Sequence, residues 1–232
     1  MKGMHPLYWD REVHSEYEKM MSNFKEKFGH DASVHLMRDE VGLYHLNVMC
    51  AFIKKLKGDE LNVLEIGSYT GQSTRIFSEY FKNVVSVDPF GKSNVLSDID
   101  DFKEEEESEG DEMDVKIKFS KEQDVIRFIF KNNVVEIVDN VTHYEMTSDD
   151  FFLKYKDQKK FDFIYIDGDH RYSQQIRDYT NALKFLKSGG IVGGHDFKWE
   201  STQKVIAEMD FSKKPMFHLM DDSFLVVGEE LL

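Results

Sequence analysis

The sequence predicts an α/β fold: a doubly wound, mainly parallel sheet of seven strands with an N-terminal helical cap. From residue 61 onwards, short apolar runs alternate with amphipathic helical segments. Alternation of this kind is typical of a parallel sheet that is covered by helices on both faces. Before residue 60 the apolar residues recur at helical spacing, and two further apolar runs near residue 220 are suited to closing the sheet.

The N-terminal part is predicted to be a helical cap and not an independent domain. Apolar residues recur at helical spacing from Val41 to Leu56, and Gly58 ends the run. We therefore divide the chain into a cap, residues 1–60, and one larger domain, residues 61–232. A chain of 232 residues suffices for one domain with such an appendage.

The strands of the larger domain are predicted from short apolar runs that are bounded by turn residues. They are LNVLEIG (61–67), NVVSVD (83–88), a weaker run near 141–146, FDFIYID (161–167) and GIVGGHD (190–196), with PMFHLM and SFLVVG as a final hairpin. Helices are expected between them, and Ser188-Gly189-Gly190 is predicted to cap the helix before the fifth strand. Ligands of such sheets bind at the carboxyl ends of the strands, so we expect the site there.

The charge of the chain is unevenly distributed. Against 30 Lys and Arg there are 44 Asp and Glu, which makes the net charge −14. Eleven acids and one base lie between Asp98 and Asp114, so this segment carries −10 and the remainder −4. We predict a mobile acidic loop at about residues 91–118. An acidic surface repels phosphate backbones, so no nucleic-acid partner is expected.

The sequence also bears on location. No apolar run approaches the roughly 18 residues that a membrane span needs, and the first residues lack the apolar stretch of a secretory signal. Cys50 is the only cysteine, so no intramolecular disulfide can form and reducing surroundings are expected. We therefore expect a cytoplasmic protein without a membrane partner.

The turn after the first strand, EIGSYTGQS (residues 65–73), leads directly into a helix. Its glycines let backbone approach a ligand, and the helix N-terminus offers free N–H groups. Asp88 ends the next strand, where an acid can accept hydrogen bonds from ribose hydroxyls. This pair fits a nicotinamide dinucleotide or S-adenosylmethionine. The residues between Gly67 and Gly71 crowd the space for a pyrophosphate, which favours S-adenosylmethionine.

Two further strands each end in an aspartate. Asp167 follows FDFIYI and Asp196 follows GIVGGH, and adjacent strands of a sheet lie roughly 5 Å apart. Two carboxylates with room for water suit Mg²⁺ better than Zn²⁺. His170 is a titratable group close to this metal site. We expect His195 to be a hydrogen-bonded residue at a strand end and not a ligand.

Four motifs, LEIGSYTGQST, VVSVDPF, FDFIYIDGDHRY and LKSGGIVGGHDF, occur in this order over roughly residues 60–200. Together they resemble the class I S-adenosylmethionine-dependent methyltransferases, which have a Rossmann-like sheet. The similarity is greatest to the metal-dependent O-methyltransferases of the macrocin and mycinamicin type. The opening motif also resembles that of catechol O-methyltransferases.

The resemblance implies roles for individual residues. It assigns the binding of the methyl donor to Glu65, Gly67, Ser68, Tyr69, Gly71, Ser73, Asp88, Ser148, Asp149 and Asp167. Among these, Asp88 is implied to hold the ribose, and Ser148 and Asp149 to lie beside the adenine. The resemblance further implies that Asp167 and Asp196 bind the metal and that His170 is the general base. Catechol-type enzymes carry an Asp-Asn pair where this chain has His195-Asp196, so the third ligand stays open.

These observations favour divalent-metal-assisted O-methylation of a small hydroxylated acceptor, such as a sugar or a secondary metabolite. Three alternatives remain at this point: a metal-independent methyltransferase acting on nitrogen or a carboxylate, a non-catalytic binding protein of the same fold, and a dinucleotide oxidoreductase. The expected cofactors are S-adenosylmethionine and Mg²⁺. A homo-oligomer is compatible with the sequence, which does not identify the acceptor.

Overall fold

The computed structural model describes residues 38–91, 123–155 and 160–228, and within them lies a seven-stranded sheet. The strands are β1 (Asn62–Ile66), β2 (Asn83–Val87), β3 (Val141–Tyr144), β4 (Phe161–Ile166), β5 (Leu186–Gly194), β6 (Met216–His218) and β7 (Phe224–Val226). Their order in the sheet is β3-β2-β1-β4-β5-β7-β6. The first five strands pair in parallel, whereas β7 runs antiparallel to both β5 and β6. The predicted fold class is therefore confirmed.

Helices cover both faces of this sheet. They are α1 (Glu40–Lys57), α2 (Gln72–Tyr80), α3 (123–130, continued by a π-turn at Lys131–Val135), α4 (Ser148–Lys154), α5 (Tyr172–Phe185) and α6 (Glu200–Glu208). Successive strand residues point to opposite faces, which divides the core into two layers. Val63 and Phe163 pack in the layer with α1 and α2, and Leu64 and Ile164 pack in the layer with α5 and α6.

Helix α1 is the described part of the predicted N-terminal cap. Its N-cap residue, Asp39, accepts a hydrogen bond from the backbone N–H of Gly42. Leu46, Met49 and Ile53, spaced on one helical face, are fully buried in the core. The helix thus forms part of the core of the sheet domain. Residues 1–37 lie outside the described residues, so the extent of the cap stays a prediction.

Strand β5 begins earlier than the sequence predicts. Helix α5 ends at Phe185, and Leu186 already has extended backbone, so Ser188-Gly189-Gly190 lies within the strand and caps no helix. The pairing of β4 with β5 shifts here, because Phe161 pairs with Leu186 whereas Phe163 pairs with Ile191. The extra residues form a bulge, which the apolar periodicity of a single strand does not reveal.

The predicted acidic loop at about residues 91–118 lies outside the described residues except for Gly91. Its mobility stays a prediction. In the described ranges, no helix is both long enough and apolar enough to cross a bilayer.

Candidate active site

The turn between β1 and α2 is closely packed against protein. Gly67 has φ +86°, and a Cβ added there would lie 2.1 Å from the carbonyl oxygen of Asp167. Gly71, the N-cap of α2, has φ +82°, and its added Cβ would lie 2.5 Å from the side chain of Val134. Both glycines are thus required by neighbouring protein groups, a reason that the sequence did not provide. Donor binding by this turn stays a prediction.

Glu65 and Ser73 form a buried hydrogen bond beneath the turn. The fully buried Glu65 carboxylate accepts hydrogen bonds from the hydroxyls of Ser73 and Thr74, in the first turn of α2. Burial raises the pKa of Glu65 to about 7, against the opposing effect of these hydroxyls. The side chains of Glu65 and Ser73 bind each other and thereby hold the turn in shape. Their contribution to donor binding stays a prediction.

Asp88, at the end of β2, binds the backbone of the same turn. Its Oδ2 accepts the backbone N–H groups of Ser68 at 2.9 Å and Tyr69 at 2.8 Å, and its Oδ1 accepts that of Phe90 at 2.8 Å. Burial raises the pKa of Asp88, although these three N–H groups oppose the shift. A carboxylate offers about four lone-pair positions, so among the described residues one on Oδ1 is left for a ligand hydroxyl.

Ser148 and Asp149 begin α4, and their side chains contact α5. The Nε2 amide of Gln174 donates to the Ser148 hydroxyl at 3.2 Å, and the Asp149 carboxylate lies 3.5 Å from Nε of Arg177. These contacts hold α4 against the neighbouring helix. The predicted position of both residues beside an adenine stays a prediction.

The ends of β4 and β5 bring together the residues that the sequence singled out for metal binding and base catalysis. Asp167, His170 and Asp196 each present one ligand atom, and these atoms all lie within 4.8 Å of one another. Asp196 has φ +55°, a backbone conformation that aspartate tolerates better than most residues. Asp169 does not join the cluster, because its carboxylate pairs with the Arg171 guanidinium.

Two imidazoles flank Asp196. Nδ1 of His170 lies 3.0 Å from Oδ2 of Asp196, and Nδ1 of His195 lies 3.0 Å from Oδ1. For both histidines, burial lowers the pKa, but the hydrogen bond to Asp196 and nearby carboxylate charge outweigh it and raise the pKa overall. Burial acts to raise the pKa of Asp196, but the two imidazoles outweigh it and hold this pKa well below its ordinary value.

Arg38 completes the cluster, and sequence reasoning missed it. Its guanidinium donates to Oδ2 of Asp167 at 2.8 Å, to the Tyr165 hydroxyl at 2.8 Å and to Oδ2 of Asp221 at 3.0 Å. The Gln72 side chain holds the backbone of Arg38 through both its N–H and its carbonyl. No local signal marks Arg38, because its acidic partners lie 129 and 183 positions away in the chain.

This arrangement supports both donor binding and proton transfer. A glycine turn opens a helix after β1, an acid ends β2, and an Asp–His cluster lies at the adjacent ends of β4 and β5. With the strand order described above, these features define a class I methyltransferase, which uses S-adenosylmethionine. A family model described as a methyltransferase domain matches residues 64–197. The chain therefore belongs to the methyltransferase domain family.

Solved structures share the fold at low sequence identity. Cofactor-bound Rv0187 from MTB is 13% identical, with a TM-score of 0.58 over 95% of this chain and 91% of that one. An O-methyltransferase from Bacillus cereus, solved in complex with SAH, is 16% identical, with a TM-score of 0.51 over 92% and 90%. A putative O-methyltransferase from Klebsiella pneumoniae is 12% identical, with a TM-score of 0.51 and the same coverage.

One relative is found by sequence. It is described as uncharacterized protein R132 of Acanthamoeba polyphaga mimivirus, and it is 21% identical over 179 residues. The alignment covers 73% of this chain and 70% of that protein.

Proposed function

We propose that this methyltransferase transfers the methyl group of S-adenosylmethionine to a hydroxyl of a small acceptor, such as a sugar or a secondary metabolite, with the assistance of a divalent cation. The observation that carries the proposal is the convergence of Asp167, His170 and Asp196 within 4.8 Å at adjacent strand ends. A base and two hard oxygen ligands at one point suit the activation of a hydroxyl.

The residues present fit the methyl donor. The lone pair on Oδ1 of Asp88 that no described residue occupies suits a ribose hydroxyl, and the turn from Gly67 to Gly71 opens α2 beside it. S-adenosylmethionine supplies a methyl group on a positively charged sulfonium. The carboxylates of Asp88 and Asp167, which the sheet brings to one edge, favour such a cation. The role of the chain is to hold donor and acceptor in line, which is an orientational gain.

The residues present also fit a divalent cation. Asp167 and Asp196 would hold it through carboxylate oxygens. If these two carboxylates are its only protein ligands, the site suits Mg²⁺. A cation in this position would lower the pKa of a hydroxyl placed beside it. Arg38 orients Asp167 by binding its Oδ2, so Oδ1 is the oxygen that faces His195.

His170 is suited to be the general base. In the neutral ring, an Nδ1–H that donates to Asp196 leaves the lone pair on Nε2. The side chain is 39% exposed, so the ring is accessible from outside the protein. Asp196 orients the ring and stabilises the imidazolium that forms when Nε2 takes the proton.

One observation favours a second candidate, a methyltransferase that needs no metal and acts on oxygen, nitrogen or a carboxylate. Both oxygens of Asp196 already contact imidazoles, and Oδ2 of Asp167 already binds Arg38. The cluster is therefore charge-compensated by the protein itself. The His170–Asp196 pair can then act as a base without a cation.

The experiment measures S-adenosylhomocysteine formation with a panel of hydroxylated acceptors, in chelator and after addition of Mg²⁺ or Mn²⁺. We expect no turnover in chelator and recovery with the metal. Asp196→Ala should lose turnover and metal response but retain donor binding in calorimetry, whereas Asp169→Asn, the matched carboxylate outside the cluster, should retain all three. Full turnover in chelator would establish the metal-independent candidate instead.

A further inference from the structure

We propose that His195 is the third protein ligand of the cation site, and that Asp167, His195 and Asp196 select a first-row transition-metal dication of the Mn²⁺, Fe²⁺ or Co²⁺ type over Mg²⁺. This inference rests on the cation site of the proposed function and names its ligands and its ion. It also replaces the expectation, drawn from the sequence, that His195 is only a hydrogen-bonded residue at a strand end.

The hydrogen bond on the far side of the ring determines the tautomer of His195. Its Nε2 lies 2.7 Å from the backbone carbonyl oxygen of Asp221. A carbonyl oxygen can only accept, so Nε2 carries the hydrogen. The Asp221 side chain is itself held by Arg38 and by the Ser223 backbone N–H, and the N–H of His195 donates to the carbonyl of Ile166 at 3.2 Å. Both ends of this hydrogen bond are therefore fixed.

The opposite nitrogen of the ring faces the two carboxylates. Nδ1 of His195 lies 3.0 Å from Oδ1 of Asp196 and 3.7 Å from Oδ1 of Asp167. Because Nε2 donates to the carbonyl, Nδ1 is the ring nitrogen that faces these two oxygens; in the metal-free protein it donates to Asp196, and a bound cation would take the place of that proton. One ring nitrogen and two carboxylates thus converge on the same point, which is the arrangement that a cation needs. Metal-binding histidines characteristically donate their other ring N–H to a carbonyl or a carboxylate, and His195 has such a partner.

The ligand set indicates the class of ion. Mg²⁺ prefers oxygen ligands throughout and retains its waters, whereas an imidazole nitrogen raises the affinity for later divalent metals. One nitrogen with two carboxylate oxygens is a mixed set that leaves positions for water and an acceptor oxygen. The bond between Arg38 and Oδ2 of Asp167 favours binding of the ion through Oδ1 alone. We therefore expect Mn²⁺ to bind at least about tenfold more tightly than Mg²⁺.

The test titrates the full-length, metal-stripped protein with Mn²⁺, follows free Mn²⁺ by electron paramagnetic resonance, and repeats the titration in competition with Mg²⁺. His195→Ala should weaken Mn²⁺ binding roughly 10–100-fold and remove most of the preference over Mg²⁺. The matched control is His218→Ala, since His218 Nε2 also bonds a carboxylate, that of Asp222 at 3.0 Å, but outside the cluster. This control should bind both ions as the wild type does.

A measurement on the wild type makes the test independent of how the variant folds. Pulsed electron paramagnetic resonance of bound Mn²⁺ should show a directly bonded nitrogen, and His170→Ala should retain that signal. A bound ion without the nitrogen coupling, or equal affinity for Mn²⁺ and Mg²⁺, would overturn the assignment of His195 while leaving the proposed function intact. A protein that binds neither ion yet forms S-adenosylhomocysteine would overturn the metal-assisted function itself.

Discussion

Individual side chains at the carboxyl edge of the sheet owe their direction to a partner on another element. The Asp196 carboxylate orients His170, the Asp221 carbonyl orients His195, and the Arg38 guanidinium orients Asp167. Each partner restricts its residue to one orientation before any ligand binds. Such preorganisation is what a site needs in order to hold reacting groups in line.

The proposed base has a measurable consequence. His170→Ala should reduce turnover roughly 10²–10⁴-fold, the usual contribution of a general base, with donor affinity nearly unchanged. Burial lowers the pKa of His170, and hydrogen bonding to Asp196 more than offsets this in the metal-free protein. Wild-type activity should rise with pH as the imidazolium loses its proton. The variant should lack this acidic limb in its pH–rate profile. Wild-type turnover with an unchanged profile would show that His170 is not the base.

The donor site has its own test at Asp88. Asp88→Ala should weaken S-adenosylmethionine binding by about 1–3 kcal/mol, because a ribose hydroxyl loses its acceptor and the turn loses three N–H partners. Asp150→Ala, which breaks an ion pair with Lys154 on the surface of α4, serves as the comparison for an acid outside the predicted donor site. Calorimetry gives both affinities. Unchanged binding in Asp88→Ala would remove this residue from the donor site.

At the scale of elements, the β1–α2 unit is held by polar groups inside the core. Glu65 lies in a strand whose other inward residues are apolar, and it reaches the first turn of α2 through two hydroxyls. A buried carboxyl is retained at low cost when it is hydrogen-bonded or protonated. The turn that we propose to bind the donor is therefore stabilised by the Glu65 carboxyl, whose pKa of about 7 lies near neutral pH.

This arrangement predicts a pH dependence of stability. The pKa of Glu65 is about 7 in the fold against an ordinary value of 4.5, so the protonated carboxyl favours the folded state. Its contribution to the free energy of unfolding is fully present below pH ~4.5 and is lost as the pH rises towards 7, by at most about 1.4 kcal/mol per pH unit. Glu65→Gln should therefore gain stability relative to the wild type between pH 5 and 7.5 in urea denaturation.

The control for this experiment is Glu60→Gln, which removes a carboxylate whose side chain is 76% exposed. Its unfolding free energy should follow that of the wild type across the same pH range. Parallel pH profiles for Glu65→Gln and the wild type would show that the Glu65 carboxyl stays charged in the fold.

At the scale of the whole molecule, Arg38 connects the start of α1 to the far half of the sheet. The side chains of Arg38 and Asp221 are 8% and 2% exposed, so their ion pair is buried. Each charge is compensated there by the other and not by water. Removing one member of such a pair leaves an uncompensated charge, which is far more costly than losing a surface pair. Arg38, two residues before α1, thus couples the start of this helix to the candidate site.

Arg38→Met should lower the free energy of unfolding by roughly 3–5 kcal/mol, and Asp221→Asn in that background should restore part of the loss. Lys82→Met, which breaks the exposed pair with Glu60, should cost less than about 1 kcal/mol. Urea denaturation of the wild type, the two single variants Arg38→Met and Asp221→Asn, their combination and Lys82→Met gives the five unfolding free energies. Comparison of the combined variant with the two single ones measures the coupling between Arg38 and Asp221. Additive effects of the two substitutions would contradict a shared buried pair.

Local pattern alone was enough to predict the class of fold and part of the site. Apolar runs of strand length that alternate with amphipathic helices indicate a parallel sheet, and the strand ends of such a sheet converge at one edge. Asp167 and Asp196 could therefore be expected to meet, and the structure brings them together with His170. These inferences succeed because they depend on the periodicity of neighbouring residues and on the geometry common to all parallel sheets.

Only the tertiary structure decided which partners those residues have. Arg38 reaches Asp167 across 129 positions, and the His195 ring meets a carbonyl 26 positions away, so neither contact leaves a periodic signal in the sequence. The bulge in β5 likewise depends on its pairing with β4. Side-chain direction is set by packing and hydrogen bonding between distant segments. For that reason the strand ends were predictable from the sequence, whereas the tautomer of His195 and the orientation of Asp167 required the fold.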